Sequence, residues 1–157
     1  MSVLKRLKEY LDENNIRYTS IEHSPAYTGQ DLAASIHISG KEIAKTVILK
    51  AGGSYMMAVL PASRKINFGY LEEQIAAKGL LLAEEDEIKN LFPDCEVGAM
   101  PPFGNFYDMP VYAASALSED EEIVFNAGTH TDAIRMGYND YIRLVDPNVV
   151  NFSDPVN

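Results

Sequence analysis

The chain has 157 residues, 46% of them hydrophobic, the length of one ordinary domain and enough to bury a core without disulfide or metal staples. Its formal net charge of −10, from 23 acidic and 13 basic residues, argues against a general nucleic-acid binder while leaving room for a local basic pocket. A single cysteine, Cys95, rules out an internal disulfide framework, and neither a signal-peptide stretch nor a membrane-spanning run is visible, so a cytoplasmic protein is expected, with no membrane and no DNA as partner.

Ser2 is placed to cap a helix running to about Asn14, with Leu4, Leu7 and Leu11 on one stripe. Residues 17–22 alternate as a strand does, and Thr28 followed by Asp31 marks the start of a short helix through Ile36, which leaves His23-Ser24-Pro25-Ala26-Tyr27 as the joining loop. Gly52-Gly53 between the apolar runs 45–51 and 54–60 predicts a hairpin. Asn67 is placed to cap a helix over residues 68–78 that ends at Gly79, and a further short helix fits residues 84–91. Strands are expected over 111–117 and 121–125, while residues 133–144 mix strand and helix signals, and residues 146–157 read as a loose tail. Strands and helices are interspersed without regular alternation and without repeats, so the expected class is α+β with a mixed sheet, in one domain over residues 1–157.

Period-two alternation puts Lys45 on the same strand face as Val47 and Leu49, where an ammonium shares a surface with core residues. Two readings follow: an anion meets that charge in a pocket, or the stem packs on Val47 and the charge snorkels to water. Residues 98–105, Gly-Ala-Met-Pro-Pro-Phe-Gly-Asn, make a stiff loop suited either to a plain turn or to binding through fixed backbone groups. Residues 126–131 follow an apolar strand with small side chains around His130, which reads as a hydrogen-bonded structural residue or as a proton carrier. The acidic runs at 84–87 and 119–122 lack His or Cys at ligand spacing, and His23, His37 and His130 are too scattered to share a metal, so neither a catalytic metal nor a cofactor is expected. No Gly-x-Ser-x-Gly elbow, Walker loop or dinucleotide fingerprint is present, and the acidic setting of Cys95 disfavours a reactive thiolate.

Taken together, the loop His23-Ser24-Pro25-Ala26-Tyr27-Thr28, the strand Ala44-Lys45-Thr46-Val47-Ile48-Leu49-Lys50, the Gly-x-x-x-Pro element from Gly98 to Pro102 and the stretch Asn126-Ala127-Gly128-Thr129-His130 resemble, in order and spacing, the YbaK/ProX family of aminoacyl-tRNA deacylases. The resemblance spans roughly residues 1–145. It implies a mixed, barrel-like β-sheet surrounded by helices, and hydrolysis of the ester of a mischarged tRNA. Carried onto this sequence, it implies that Lys45 holds the phosphate at the tRNA 3′ end and that the Gly98 backbone positions the terminal ribose or the attacked carbonyl. The implied substrate-binding set is His23, Thr28, Met100, Pro101, Pro102, Phe103, Gly104, Gly128 and His130, with Met100, Phe103 and the proline pair shaping a pocket for a small side chain.

The leading functional expectation is therefore a trans-editing deacylase that meets the acceptor end of a mischarged aminoacyl-tRNA, with an aminoacyl-tRNA synthetase as a further partner. The alternative is a non-catalytic module that binds a nucleotide, an aminoacyl-adenylate-like ligand or a synthetase. A third reading is hydrolysis of another small ester or amide with His130 as base.

Overall fold

Ser2 caps α1 (Val3–Glu13), its hydroxyl accepting the Lys5 N–H at 3.1 Å, and Val3, Leu7 and Leu11 form the buried stripe. The computed structural model describes residues 2–156. Next along the chain come β1 (Tyr18–Glu22) and α2 (Gly29–Ser35), the latter capped by Thr28, whose hydroxyl accepts the Asp31 N–H at 3.0 Å. The hairpin β2 (Ala44–Ala51) and β3 (Ser54–Pro61) turns on Gly52 and Gly53, and is followed by β4 (Arg64–Ile66) and α3 (Phe68–Ile75). After β5 (Leu81–Leu82) and α4 (Glu85–Leu91) the chain runs without regular structure to a 3₁₀ turn, Gly104–Phe106, then β6 (Val111–Ala114). It closes with β7 (Glu122–Asn126), β8 (Asp132–Gly137), α5 (Tyr138–Val145), β9 (Asn148–Val150) and β10 (Ser153–Pro155).

The strands form three sheets: five strands in the order β5-β2-β3-β6-β9, three in the order β1-β8-β7, and the pair β10-β4. β2 pairs antiparallel with β3 and β5, whereas β3 with β6 and β6 with β9 are parallel, so the mixed α+β class holds. The expected barrel-like closure is absent among the described residues. The largest sheet ends at β5 on one side and β9 on the other, and the three-stranded sheet meets it through one isolated parallel bridge, Ile43 with Val124.

Both faces of β2 are used. Ala44 and Ile48 enter the largest core cluster with Phe103, Phe125 and Tyr141, while Val47 and Leu49 pack in a second with Leu71 and Phe152. A third cluster joins Ala26, Leu32 and Ala33 to Ile43, Val124 and Ala133.

Three expectations need correction. α3 stops at Ile75, before Lys78, because Ala76 turns left-handed (φ 55°) and Ala77 N–H closes on the Glu72 carbonyl at 3.0 Å. The early turn brings Leu80 back into the core beside Leu71. The strand expected over 111–117 ends at Ala114, where a 3₁₀ turn buries Leu117. The loose tail is ordered over residues 146–156, residue 157 lying outside the described residues: β9 pairs with β6, β10 with β4, and Phe152 between them is wholly buried. The segment over 133–144 resolves into β8 and α5, with Gly137 at the junction.

Candidate functional site

Three loops from distant parts of the chain meet at His130. Its backbone N–H donates to Glu96 Oε1 at 2.7 Å, and its carbonyl accepts the Ala26 N–H at 3.0 Å. The ring lies between two carbonyl oxygens, Nδ1 at 3.2 Å from Ala26 and Nε2 at 2.8 Å from Val97, and the exposed Tyr27 ring lies 4.8 Å away. The β7–β8 turn is tied to the 98 loop a second time, since Gly128 donates to the Ala99 carbonyl at 2.9 Å and accepts from Glu96 N–H at 2.8 Å. His130 is thereby a clamp: a neutral ring donates its one N–H to one of these two carbonyls and lies against the other, so it ties the loops together.

Gly98 and Gly128 are needed as glycines. Both have positive φ, +88° and +98°; a Cβ on Gly98 would sit 3.4 Å from His130 Cε1, and one on Gly128 would sit 3.0 Å from Val3. Gly98 is exposed and, among the described residues, its N–H donates to no protein group, so it is open to an incoming oxygen.

Lys45 stands at the start of β2 on the Val47 and Leu49 face, half-buried, and burial lowers its pKa from the ordinary 10.5. Among the described residues no carboxylate lies within 4.0 Å of it, although Lys41, Lys50, Lys89 and Arg143 each have one, on Asp120, Glu87, Glu85 and Asp140. The Ile43–Val124 bridge sets the neighbourhood: two residues further along each parallel chain, Lys45 and Asn126 fall on one face. The register Ile21–Ala133–Asn126 puts His23, two residues past Ile21, on that face as well. Asn126 Oδ1 and His23 Nε2 are both buried without a hydrogen-bond partner among the described residues. An ammonium, an amide oxygen and an imidazole nitrogen thus share one face with their hydrogen-bonding capacity unspent, and the chain then runs from Asn126 straight into Gly128 and His130.

Other predicted residues have structural duties. The Thr28 hydroxyl is occupied as the α2 cap. Met100, Pro101, Pro102, Phe103 and Gly104 are all buried. The Phe103 ring packs against Phe125 and Tyr141, with centroids 5.5 and 5.7 Å away, and the Pro102 carbonyl accepts the buried Tyr141 hydroxyl at 2.7 Å. These side chains anchor the loop in the core, and Gly98 at its start is exposed. Burial, with Asp94 alongside, pushes the Cys95 thiol up to about 11. Glu96, Tyr27 and Asn126 were not among the predicted site residues. Tyr27 and Asn126 left a trace in the sequence, as members of the loop over 23–28 and of the stretch over 126–130, whereas Glu96 left none. A cleft of about 320 Å³ lined by Glu42, Asp120, Glu121, Glu122, Val124 and Arg135 contains neither Lys45 nor Gly98.

The sequence model of the aminoacyl-tRNA editing domain matches residues 23–144, from the His23 loop to the end of α5. The chain belongs to the aminoacyl-tRNA editing domain family. It is similar to the multifunctional Ser/Thr-tRNA deacylase ProXp-y of Escherichia coli K12, 31% identical over 114 residues that cover 69% of this chain and 68% of that one. It is also similar to the prolyl-tRNA editing protein ProX of Acetoanaerobium sticklandii, 33% identical over 101 residues, covering 62% and 60% of the two chains. Among solved structures, one described as a candidate trans-editing enzyme for prolyl tRNA synthetase superposes with a TM-score of 0.83 over 98% of both chains at 15% identity, which shows a shared editing-domain fold. Lys45, Gly98 and His130 all lie within the span matched by the family.

Proposed function

We propose that this protein is an aminoacyl-tRNA deacylase acting in trans, hydrolysing the ester that joins a small, wrongly attached amino acid to the 3′-terminal ribose of tRNA. The observation that carries the reading is Lys45, a half-buried ammonium with no carboxylate beside it among the described residues. Such a charge is stabilised when an anion arrives, and the 3′-terminal phosphate is the anion that would bring the ester to the neighbouring loops. Water adds to the ester carbonyl, the oxyanion is met by the free Gly98 N–H, and as collapse breaks the acyl–oxygen bond the proton lost by the water passes to the departing ribose oxygen, releasing the ribose hydroxyl and the free amino acid. The clamp at His130 fixes Gly98 in place for that step. Editing relatives named for Ser/Thr-tRNA and prolyl-tRNA support a small amino acid as the acyl group that is transferred to water. Discrimination by size alone gives about 1–3 kcal/mol per methylene, so more than one amino acid should be accepted.

The test is release of labelled amino acid from tRNAs charged with alanine, serine, threonine, cysteine or proline, on matched and mismatched tRNA bodies, by wild type beside Lys45→Ala. Hydrolysis of one or two members that falls at least 100-fold in the variant supports the reading. Equal activity of the two proteins would remove Lys45 from the mechanism. The wedging of His130 between two main-chain carbonyls, together with the raised thiol pKa of Cys95, favours one other reading, a non-catalytic module that binds the same 3′ end, and silence across the panel would put that reading first.

A further inference from the structure

In a chain of net charge −10, the position of unneutralised positive charge is informative. Lys5, Arg6 and Lys8 are the only three basic residues that fall within four positions of one another, and among the described residues none has a carboxylate within 4.0 Å. They sit in the first two turns of α1, Lys5 and Arg6 exposed, with no acidic residue in the first turn and no basic one in the last, which holds Asp12 and Glu13. That is the reverse of what the helix dipole favours, since the amino end of a helix prefers anions and the carboxyl end cations. Arg6 spends part of its charge on Phe106, donating to its carbonyl at 3.4 Å, whereas among the described residues Lys5 and Lys8 break the local rule with no compensating side-chain contact, which points to use by a partner.

The same half of α1 lies against the candidate site. Val3 packs on Gly128, and the Arg6 guanidinium stands 4.2 Å above the Phe106 ring, in the turn that ends the 98 loop. Tyr10 packs on Phe103 and Phe106, so the helix runs alongside the loop that presents Gly98.

We propose that the exposed side of the first two turns of α1, through Lys5, Arg6 and Lys8, docks the phosphate backbone of the RNA stem whose 3′ end reaches Lys45 and Gly98. This rests on the deacylase reading for the identity of the RNA. Contacts of this kind recognise charge and A-form shape without reading sequence, and they make affinity fall with salt. They also reconcile an acidic protein with a polyanionic substrate: attraction is confined to one strip next to the site, and the remaining surface repels.

The experiment compares wild type, Lys5→Glu/Lys8→Glu, and Lys65→Glu/Lys78→Glu, which makes the same change in net charge at exposed positions remote in sequence from α1 and the site loops. Each is assayed on a mischarged full-length tRNA and on the same amino acid esterified to a 3′-terminal dinucleotide that has no stem. For the α1 variant, the ratio of kcat/KM on tRNA to kcat/KM on the dinucleotide ester should fall about tenfold, and the salt dependence of tRNA binding should flatten by about 0.7–0.9 in log–log slope per lysine removed. The Lys65/Lys78 variant should keep the wild-type ratio. An α1 variant that matches this control, or that retains the wild-type ratio and slope, overturns the proposal. Wild type inactive on both esters would instead defeat the deacylase reading, and binding of uncharged tRNA, with its salt slope, would still decide the role of α1.

Discussion

Replacing Lys45 by methionine separates the two readings of that residue. The substitution keeps an unbranched stem of similar length on the strand face that carries Val47 and removes the ammonium. In the folded protein burial lowers the lysine pKa, with no carboxylate beside it among the described residues, so the charged form is destabilised relative to the unfolded chain. Because the side chain is only half withdrawn from water, removing that cost should stabilise the fold by about 0.5–1 kcal/mol, the lower part of the range for relieving a strained functional position. For a chain of this length that is a rise of about 1–4 °C in Tm. At pH values below the lowered folded value the lysine is charged in both states and the cost is present in full. As pH rises through the folded and then the unfolded value the cost vanishes, so the gap between variant and wild type should close above about pH 10.5. Differential scanning calorimetry across pH reads the stability, and deacylation of mischarged tRNA, expected to fall at least 100-fold, reads the function. A variant that melts below wild type would show that the ammonium already has a favourable environment, as a snorkelling side chain does, and the anion-site argument would fail with it.

The remaining predictions test the frame around the site. Tyr141→Phe leaves the Pro102 carbonyl without its donor in the core and should cost about 1–2 kcal/mol, seen as a lower urea midpoint with unchanged m-value. Phe152→Ala should cost about 3–5 kcal/mol by thermal or urea melt, and a loss under 1 kcal/mol would restore the loose-tail expectation. The Glu87 carboxyl, hydrogen-bonded by Lys50 and Tyr55, is held down at about 2 against an ordinary 4.5. Its contribution is therefore present above pH 4.5 and lost as pH falls toward 2. Glu87→Gln should be less stable than wild type at neutral pH, and the two should converge on acidification; a gap independent of pH would mean that the ionised carboxylate is not what matters.

Local signals carried the elements whose ends are set by neighbouring residues. The caps at Ser2, Thr28 and Asn67 and the Gly52-Gly53 turn act over two or three positions, and each element starts or turns where those residues stand. What failed was decided at long range. Ala76 takes a left-handed conformation so that Leu80 can return to the core, and the residue that signals a stop, Gly79, stands three positions further on. The final strands look like a polar tail until β4 and β6 offer edges for them to pair with. Within the site, Lys45 and Gly98 were legible because each breaks a local pattern, a charge on an apolar strand face and a glycine in a stiff loop. Glu96 was not, since a carboxylate after Cys95 looks like any surface acid until His130 arrives from 34 residues away. The burial of Met100 and Phe103 was hidden for the same reason: composition marks them as apolar without saying whether they face a ligand or Tyr141.

The lacing of three loops at His130 has a consequence for anyone who wishes to change which amino acid is removed. Residues 23–28, 96–104 and 126–131 share hydrogen bonds through one imidazole ring and one carboxylate, so they behave as a single cassette despite lying far apart in sequence. Transplanting the 98 loop alone from a relative with another preference would present its carbonyls to a ring positioned for different partners. A graft that exchanges all three segments together, leaving the β2–β3 hairpin and Lys45 in place, is the smallest exchange in which donor and acceptor pairs move as a set.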